Sequence, residues 1–349
     1  MRIVLVQPEF FGTEKAIIEE YKRSGFDVYP IVRRIGFTNP LLLLKSKLGF
    51  DVSRELTKYW SRLSAEIESI CFKQKPDALV VTQGMQLIPD AVERIKKHCI
   101  TVLSMSDRIS SFPELLERLK HYDIVYSYSK EEASILHNQG ISVGYSHMGY
   151  DSEIYTDIDC NKNIDICFVG TMYKERRMIL EKLAYDFADK NIEFYGKYVS
   201  LVNIKQYLVW LNNNKLRKAF KNKNLTTEEV NLLYNHSKIC LNINRANMSK
   251  EWTTRLLEIL GTNSFQIVEK NDVINRDFGH CLCQYSNYDD LREKIKFYLE
   301  NDAERKAIAQ KGYDKVRNNY TLSIEKKVYF EELKSKILSL QGAEKRYFC

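Results

Sequence analysis

The sequence predicts an α/β protein of two domains, each a doubly wound parallel sheet. Three observations lead there. Short apolar runs alternate with amphipathic helical stretches along most of the chain, the pattern of parallel strands joined by crossover helices. With 349 residues and 44% hydrophobic composition, the chain can fill two cores of ordinary size. A polar interval, Tyr155 to Asn163, breaks the alternation near the middle and reads as a domain linker. The expected division is residues 1–155, residues 156–322, and a closing helix over 323–349.

In the first half, Arg2 to Val6 reads as a buried strand, followed by a turn through Gly12 and a helix to about Ser24. Gly25 stops that helix, and Phe26 to Ile31 begins a second strand. The full G-x-G-x-x-G fingerprint is missing, which argues against a tightly held dinucleotide here. Residues 33–50 are apolar and basic, with Arg33, Arg34, four leucines from Leu41 to Leu44, Lys45 and Lys47. Such a segment suits peripheral contact with an anionic membrane or a lipid-linked acceptor, and equally suits a core helix with basic flanks. An amphipathic helix then runs through Tyr59 and Trp60 to about Ile70.

Strands follow at Asp77 to Thr82, Ile100 to Met105 and Asp123 to Tyr128, with Ser129 placed to cap the helix Lys130 to Asn138. Gly140 to His147 completes the half. Loops after parallel strands line a common crevice at the switch point of the sheet, which brings Gln83, Gly84, Asp107, Arg108 and His147 forward. Asp107 and His147 are the ionisable groups there suited to act as acid, base or acceptor ligand.

In the second half, Ile164 to Val169 is a strand running into a Gly170-Thr171 turn, and Tyr173-Lys174-Glu175-Arg176-Arg177 heads a helix. A glycine turn at a helix N-terminus aims free N–H groups at an anion, and basic residues add charge. Arginines at a helix start oppose the helix dipole, so two of them imply a compensating ligand. Ile192 to Tyr195 is the next strand, turning at Gly196. A Lys- and Asn-rich insertion over 200–224 has no legible role, and Thr226 to Glu229 has capping-box spacing. The most informative stretch is Ile239 to Ile267: strand, polar turn with Asn244 and Arg245, helix, and a second strand after Gly261. Arg255 and Glu258, three apart, share a face of that helix.

Composition narrows the function. The net charge of +7 suits anionic partners without choosing among them. The basic residues are dispersed with no aromatic-basic motif, against nucleic-acid binding. Eight cysteines without a CxxC pair fit reduced thiols in a cytoplasmic protein, and no apolar run is long enough to span a bilayer. The single D-x-D, Asp157-Ile158-Asp159, lies in the linker, so no metal and no cofactor are expected. A bound phosphate would instead meet fixed cations and helix-end N–H groups.

DICFVGTMYKERRMILEKL, the LNINR turn, RLLEILGTNSFQIVE and the tail NYDDLREKIKFYLENDAERKAIAQKGYDKV, together with DIVYSYSKEEASILHNQGI and MGYDSEIY, resemble glycosyltransferases of the spore maturation protein CgeB type, in the glycosyl transferase group 1 superfamily. The likeness covers roughly residues 75–320. It implies a GT-B architecture, two Rossmann-like domains facing across a cleft, the second binding a nucleotide-diphosphate sugar as co-substrate, with the last helix returning to pack on the first domain. Lys-, Asn- and Ile-rich usage suggests a bacterial source, and with it an acceptor in surface glycan assembly: a glycan, a lipid-linked glycan or a protein. Gly170 and Thr171 match the family's turn under the phosphates, Arg176 and Arg177 its basic partners, and Arg255 the arginine of its R-x-x-E segment, while Gly261-Thr262-Asn263 departs from its small-residue turn. Lys174, Tyr195, Gly196, Asn244, Arg245 and Gly261 join the donor and phosphate candidates from their own places in the turns. Glu258 becomes the carboxylate at the donor sugar or ribose hydroxyls. The superfamily spaces its paired glutamates one residue further apart than Glu251 and Glu258, so Glu251 takes no role. An epimerase or phosphorylase on the same scaffold, or a non-catalytic nucleotide-sugar binder, are the alternatives.

Overall fold

The computed structural model describes residues 1–9, 13–33, 45, 49–83, 87–111, 113–147, 149–199, 204–244 and 252–347. Gly12, Gly84, Arg245, Glu251 and most of the segment 33–50 lie outside them. The chain divides into two units, Met1–Met148 with Leu322–Cys349, and Gly149–Thr321.

The first unit holds six parallel strands: β1 (Arg2–Pro8), β2 (Asp27–Arg33), β3 (Ala78–Thr82), β4 (Ile100–Ser104), β5 (Ile124–Ser127) and β6 (Val143–Tyr145). Their order is β2-β1-β3-β4-β5-β6, which puts the switch point between β1 and β3. Among the described residues five helices intervene: α1 (Thr13–Arg23), α2 (Ser53–Gln74), α3 (Pro89–Lys96), α4 (Pro113–Leu116) and α5 (Lys130–Asn138). Ser129 caps α5 by accepting from the Glu132 amide. The residues of β1 from Ile3 to Val6 are fully buried because helices cover both faces of the sheet. Val4 and Val6 join Ile67, Leu79 and Leu103 on one face. Ile3 and Leu5 join Tyr126 on the other, where Tyr329, Phe330 and Leu333 of the final helix pack.

The second unit has five parallel strands: β7 (Ile164–Val169), β8 (Ile192–Tyr195), β9 (Ser237–Asn242), β10 (Gln266–Glu269) and β11 (Cys283–Tyr285). The order β11-β10-β9-β7-β8 puts its switch point between β7 and β9. Its helices are α6 (Lys174–Asp186), α7 (Ile204–Asn212), α8 (Asn214–Ala219), α9 (Thr227–Asn235), α10 (Thr254–Gly261), α11 (Asp272–Phe278), α12 (Tyr288–Glu300) and α13 (Asp302–Asn319). The last helix of the chain, α14 (Leu322–Tyr347), belongs to the first unit. Thr226 and Glu229 form a complete capping box at α9. The second unit begins at Gly149 for a physical reason. Tyr150 and Tyr155, in and beside the expected linker, are buried in the cluster of Leu256, Leu260 and Tyr234, and Tyr150 bridges to Thr321. No helix among the described residues is long and apolar enough to cross a membrane.

Candidate functional site

The carboxyl edge of the second sheet is built around two glycines. Gly170, directly after β7, has φ +152, and Gly196, directly after β8, has φ +138. Side chains seldom tolerate these conformations. The Gly170 amide donates to the Tyr195 carbonyl at 3.0 Å. A Cβ on Gly196 would lie 2.1 Å from the Gly170 carbonyl oxygen, so the strand ends meet backbone to backbone. A Cβ on Gly170 would lie 2.9 Å from Arg255 Nη2, so the missing side chain is what admits the guanidinium.

Two arginines share the Phe168 ring beneath this turn, Arg176 at 5.8 Å and Arg255 at 5.9 Å from its centroid. Their roles differ. Arg176 is buried, donating from Nε to the Ile243 carbonyl at 2.7 Å and from Nη1 to the Thr171 carbonyl at 3.1 Å. It therefore ties the end of β9 to the end of β7 across the switch point. Arg177 lies 3.2 Å from Glu181 and over the Tyr198 ring. The expectation that Arg176 and Arg177 act as a pair thus gives way to one backbone clamp and one surface ion pair. Consecutive helical residues point about 100° apart, which separates them.

Among the described residues, neither Tyr173 at the start of α6 nor Thr253 at the start of α10 makes a side-chain capping hydrogen bond. Thr253 Oγ1 is buried without a partner among the described residues. Thr171 and Lys174 are exposed beside the turn, while Asn244, just past β9, is buried. The Tyr195 hydroxyl is committed to Glu193 at 2.8 Å. Gly261 has a packing role: a Cβ there would lie 2.3 Å from the Tyr150 ring. It lines, with Tyr150, Tyr155, Tyr313 and Arg317, an open cavity of about 350 Å³.

Glu258 lies half-buried one turn along α10 from Arg255. Burial pushes its carboxyl from an ordinary 4.5 up to about 7, and the Arg255 guanidinium pulls the other way. Near neutral pH it is divided between acid and carboxylate, able to donate or accept a hydrogen bond. The Tyr155 and Tyr234 phenols sit within electrostatic reach of both groups and are raised chiefly by burial. Phe168, Tyr155 and Tyr234 escape sequence reasoning because each reads as core or linker. The one usable signal is an aromatic two residues before a Gly-Thr turn that two arginines must approach.

In the first unit, Gln83 has a left-handed φ of +68. Its Nε2 donates to Ser106 Oγ at 2.9 Å and to Asp107 Oδ2 at 3.2 Å. Gln7 Oε1, at the end of β1, is buried without a partner among the described residues. Burial raises the Asp107 pKa. The loop that follows is held by the buried Glu132 carboxylate, which accepts from the Ile109 and Ser110 amides, each at 2.8 Å. His147 is 2% exposed, with its ring centroid 4.4 Å from that of Tyr128. Burial, then the Lys326 and Lys130 ammonium groups, hold its pKa well below the ordinary value, which keeps the imidazole neutral. Among the described residues no group of His, Cys, Asp or Glu could hold a metal, and Asp157 of the D-x-D accepts from Asn263 at 3.0 Å.

Comparison with protein families matches residues 175–324 to a family described as glycosyl transferase-like. Comparison with curated proteins finds no match. Solved structures are similar over nearly the whole chain. Anabaena Alr3699/HepE in complex with UDP-glucose superposes with a TM-score of 0.68 at 12% identity, covering 96% of this chain and 100% of that one. Sucrose-phosphate synthase (tll1590) from Thermosynechococcus elongatus gives 0.64 at 11% identity, covering 100% and 99%. The fold is GT-B. A proposed UDP-N-acetylglucosamine 2-epimerase from Listeria monocytogenes has the same GT-B likeness, with a TM-score of 0.64 at 12% identity covering 97% and 98%. The family match begins at Glu175 and takes in Arg176, Arg255 and Glu258, with Gly170 and Thr171 just before it.

Proposed function

We propose that this protein is a glycosyltransferase that takes a sugar from a nucleotide-diphosphate donor without a metal and passes it to a glycan, lipid-linked or protein acceptor. The observation that carries the reading is the turn at Gly170, where the Arg255 guanidinium and two helix N-termini without side-chain caps belong to one switch point. A diphosphate there would be met by Arg255, by first-turn N–H groups of α6 and α10, and by Thr171, Thr253 and Lys174. Arg176 positions the two strand ends from behind. Glu258 holds sugar or ribose hydroxyls. In the first unit, Asp107 rather than the enclosed His147 accepts the proton of the attacking hydroxyl. The Lys-, Asn- and Ile-rich composition supports an acceptor in bacterial surface glycan assembly.

The test is incubation with UDP-, GDP-, ADP- and dTDP-sugars, with and without glycan or polyprenyl-phosphate acceptors, following nucleoside diphosphate release in EDTA. Acceptor-dependent release that Arg255→Ala or Glu258→Ala reduces at least a hundredfold supports the proposal. Release unchanged in both variants overturns the site, and consumption of no sugar nucleotide overturns the function. The similarity to the Listeria protein supports one competing reading, epimerisation, which would convert the sugar nucleotide to an isomer with no acceptor present.

A further inference from the structure

The helix α7 turns its aliphatic side chains to solvent. Its sequence, IKQYLVWLN, contains no buried residue. Ile204 is 59% exposed, Leu208 48%, Val209 60% and Leu211 40%. At 100° per residue, Ile204, Leu208 and Leu211 fall on one outward stripe with Lys205 and Val209 beside it. On the inward side Gln206 Nε2 donates to the Tyr198 carbonyl at 3.1 Å, and Tyr207 and Trp210 pack against the core. An ordinary surface helix of a globular domain keeps its outward face polar.

Charge decides what this face suits. Residues 204–223 contain six basic and no acidic side chains. Lys221 and Lys223 are ion-paired with Glu193 and Glu229. Lys205, Lys215, Arg217 and Lys218 are exposed, and no ion pair holds any of them among the described residues. Lys215 lies over the Tyr185 ring, itself 46% exposed, which extends the surface onto α6. A second copy of the chain would bring like charges together, and an apolar protein partner would leave these cations without counter-ions. Aliphatic side chains pointing outward and unopposed lysines fit a bilayer whose headgroups are anionic.

We propose that α7 and α8 form a docking surface for an anionic phospholipid bilayer, with Ile204, Leu208, Val209 and Leu211 entering the headgroup and acyl boundary and Lys205, Lys215, Arg217 and Lys218 meeting lipid phosphates. This proposal stands apart from the donor site and does not depend on the reaction. The experiment is flotation of the full chain with vesicles of phosphatidylcholine alone and of phosphatidylcholine with phosphatidylglycerol, at about 0.15 M salt. The protein should float with the anionic vesicles and not with the neutral ones. K215A/K218A should lower the partition coefficient about 25-fold, at roughly fivefold per cation lost. L208E/V209E should abolish flotation while melting temperature and sugar-nucleotide binding stay as in the parent, since these side chains are exposed. Equal flotation with both vesicle types, or unchanged flotation of both variants, overturns the proposal. So does a dimer in sedimentation velocity that L208E/V209E dissolves when nothing floats, because the surface then serves a second copy.

Discussion

Replacing Glu258 with glutamine keeps the shape of the side chain and removes its proton equilibrium, so it isolates what a half-buried carboxylate beside Arg255 does to stability and to binding. The folded protein holds the Glu258 proton up to about pH 7, against 4.5 for the ordinary group. Between those values the unfolded chain is ionised and the folded chain is not, so the folded state binds the extra proton and stability falls as pH rises. The loss begins near pH 4.5 and is complete by about pH 8. At about 1.4 kcal/mol for each tenfold change in proton affinity, and with a discount for solvent reaching a half-buried group, it amounts to about 2 kcal/mol between pH 5 and pH 8. Urea unfolding of parent and E258Q at both pH values measures it, and the difference between the two proteins cancels every other titrating group. E258Q should be the more stable at pH 8 by about 2 kcal/mol and nearly equal at pH 5, while binding a sugar nucleotide about tenfold more weakly through the lost charged hydrogen bond. Parallel stability profiles for the two proteins would refute the reasoning.

Gly196→Ala places a methyl 2.1 Å from the Gly170 carbonyl oxygen at a φ of +138, and should cost about 2 to 4 kcal/mol in urea unfolding and eliminate sugar-nucleotide binding. Arg176→Ala orphans the Ile243 and Thr171 carbonyls and should lower unfolding free energy by about 3 kcal/mol without ligand. Arg255→Ala should change stability by less than about 1 kcal/mol and weaken sugar-nucleotide affinity at least tenfold in calorimetry. In the first unit, burial lowers the Lys326 pKa from 10.5 to about 8. Its unfolded form then binds the extra proton between those values, so stability should rise from pH 8 to 10.5 in the parent, and Lys326→Met should remove that rise in pH-resolved melting.

Much of this was legible because local rules and global fold agree. Buried parallel strands such as Ile3 to Val6 announce themselves as apolar runs. Ser129 and Thr226 announce helix starts by spacing alone. The Gly-Thr turn before Tyr173 and the Arg255–Glu258 pair mark the strand ends that the second sheet brings to one edge. What stayed hidden depends on direction and burial. Sequence order does not tell which of two adjacent arginines faces the sheet, so Arg176 and Arg177 look alike until one is seen gripping backbone carbonyls. Tyr155 sits among polar residues and reads as linker, yet it is buried in the second core, and Tyr150 fills the space that Gly261 leaves open. His147 follows a strand as a catalytic histidine would, but burial and two lysines remove its basicity. The outward apolar face of α7 is visible only once Ile204, Leu208, Val209 and Leu211 are seen exposed.

The central claim is that the switch point of the second sheet binds a nucleotide diphosphate through Arg255 and helix ends, with no metal between them. Calorimetric titration of a panel of sugar nucleotides and their diphosphates, in EDTA, tests it most directly. At least one should bind the parent with a micromolar dissociation constant unaffected by the chelator, and Arg255→Ala should weaken it tenfold or more. Binding that requires a divalent cation, or that Arg255→Ala leaves intact, would contradict the account.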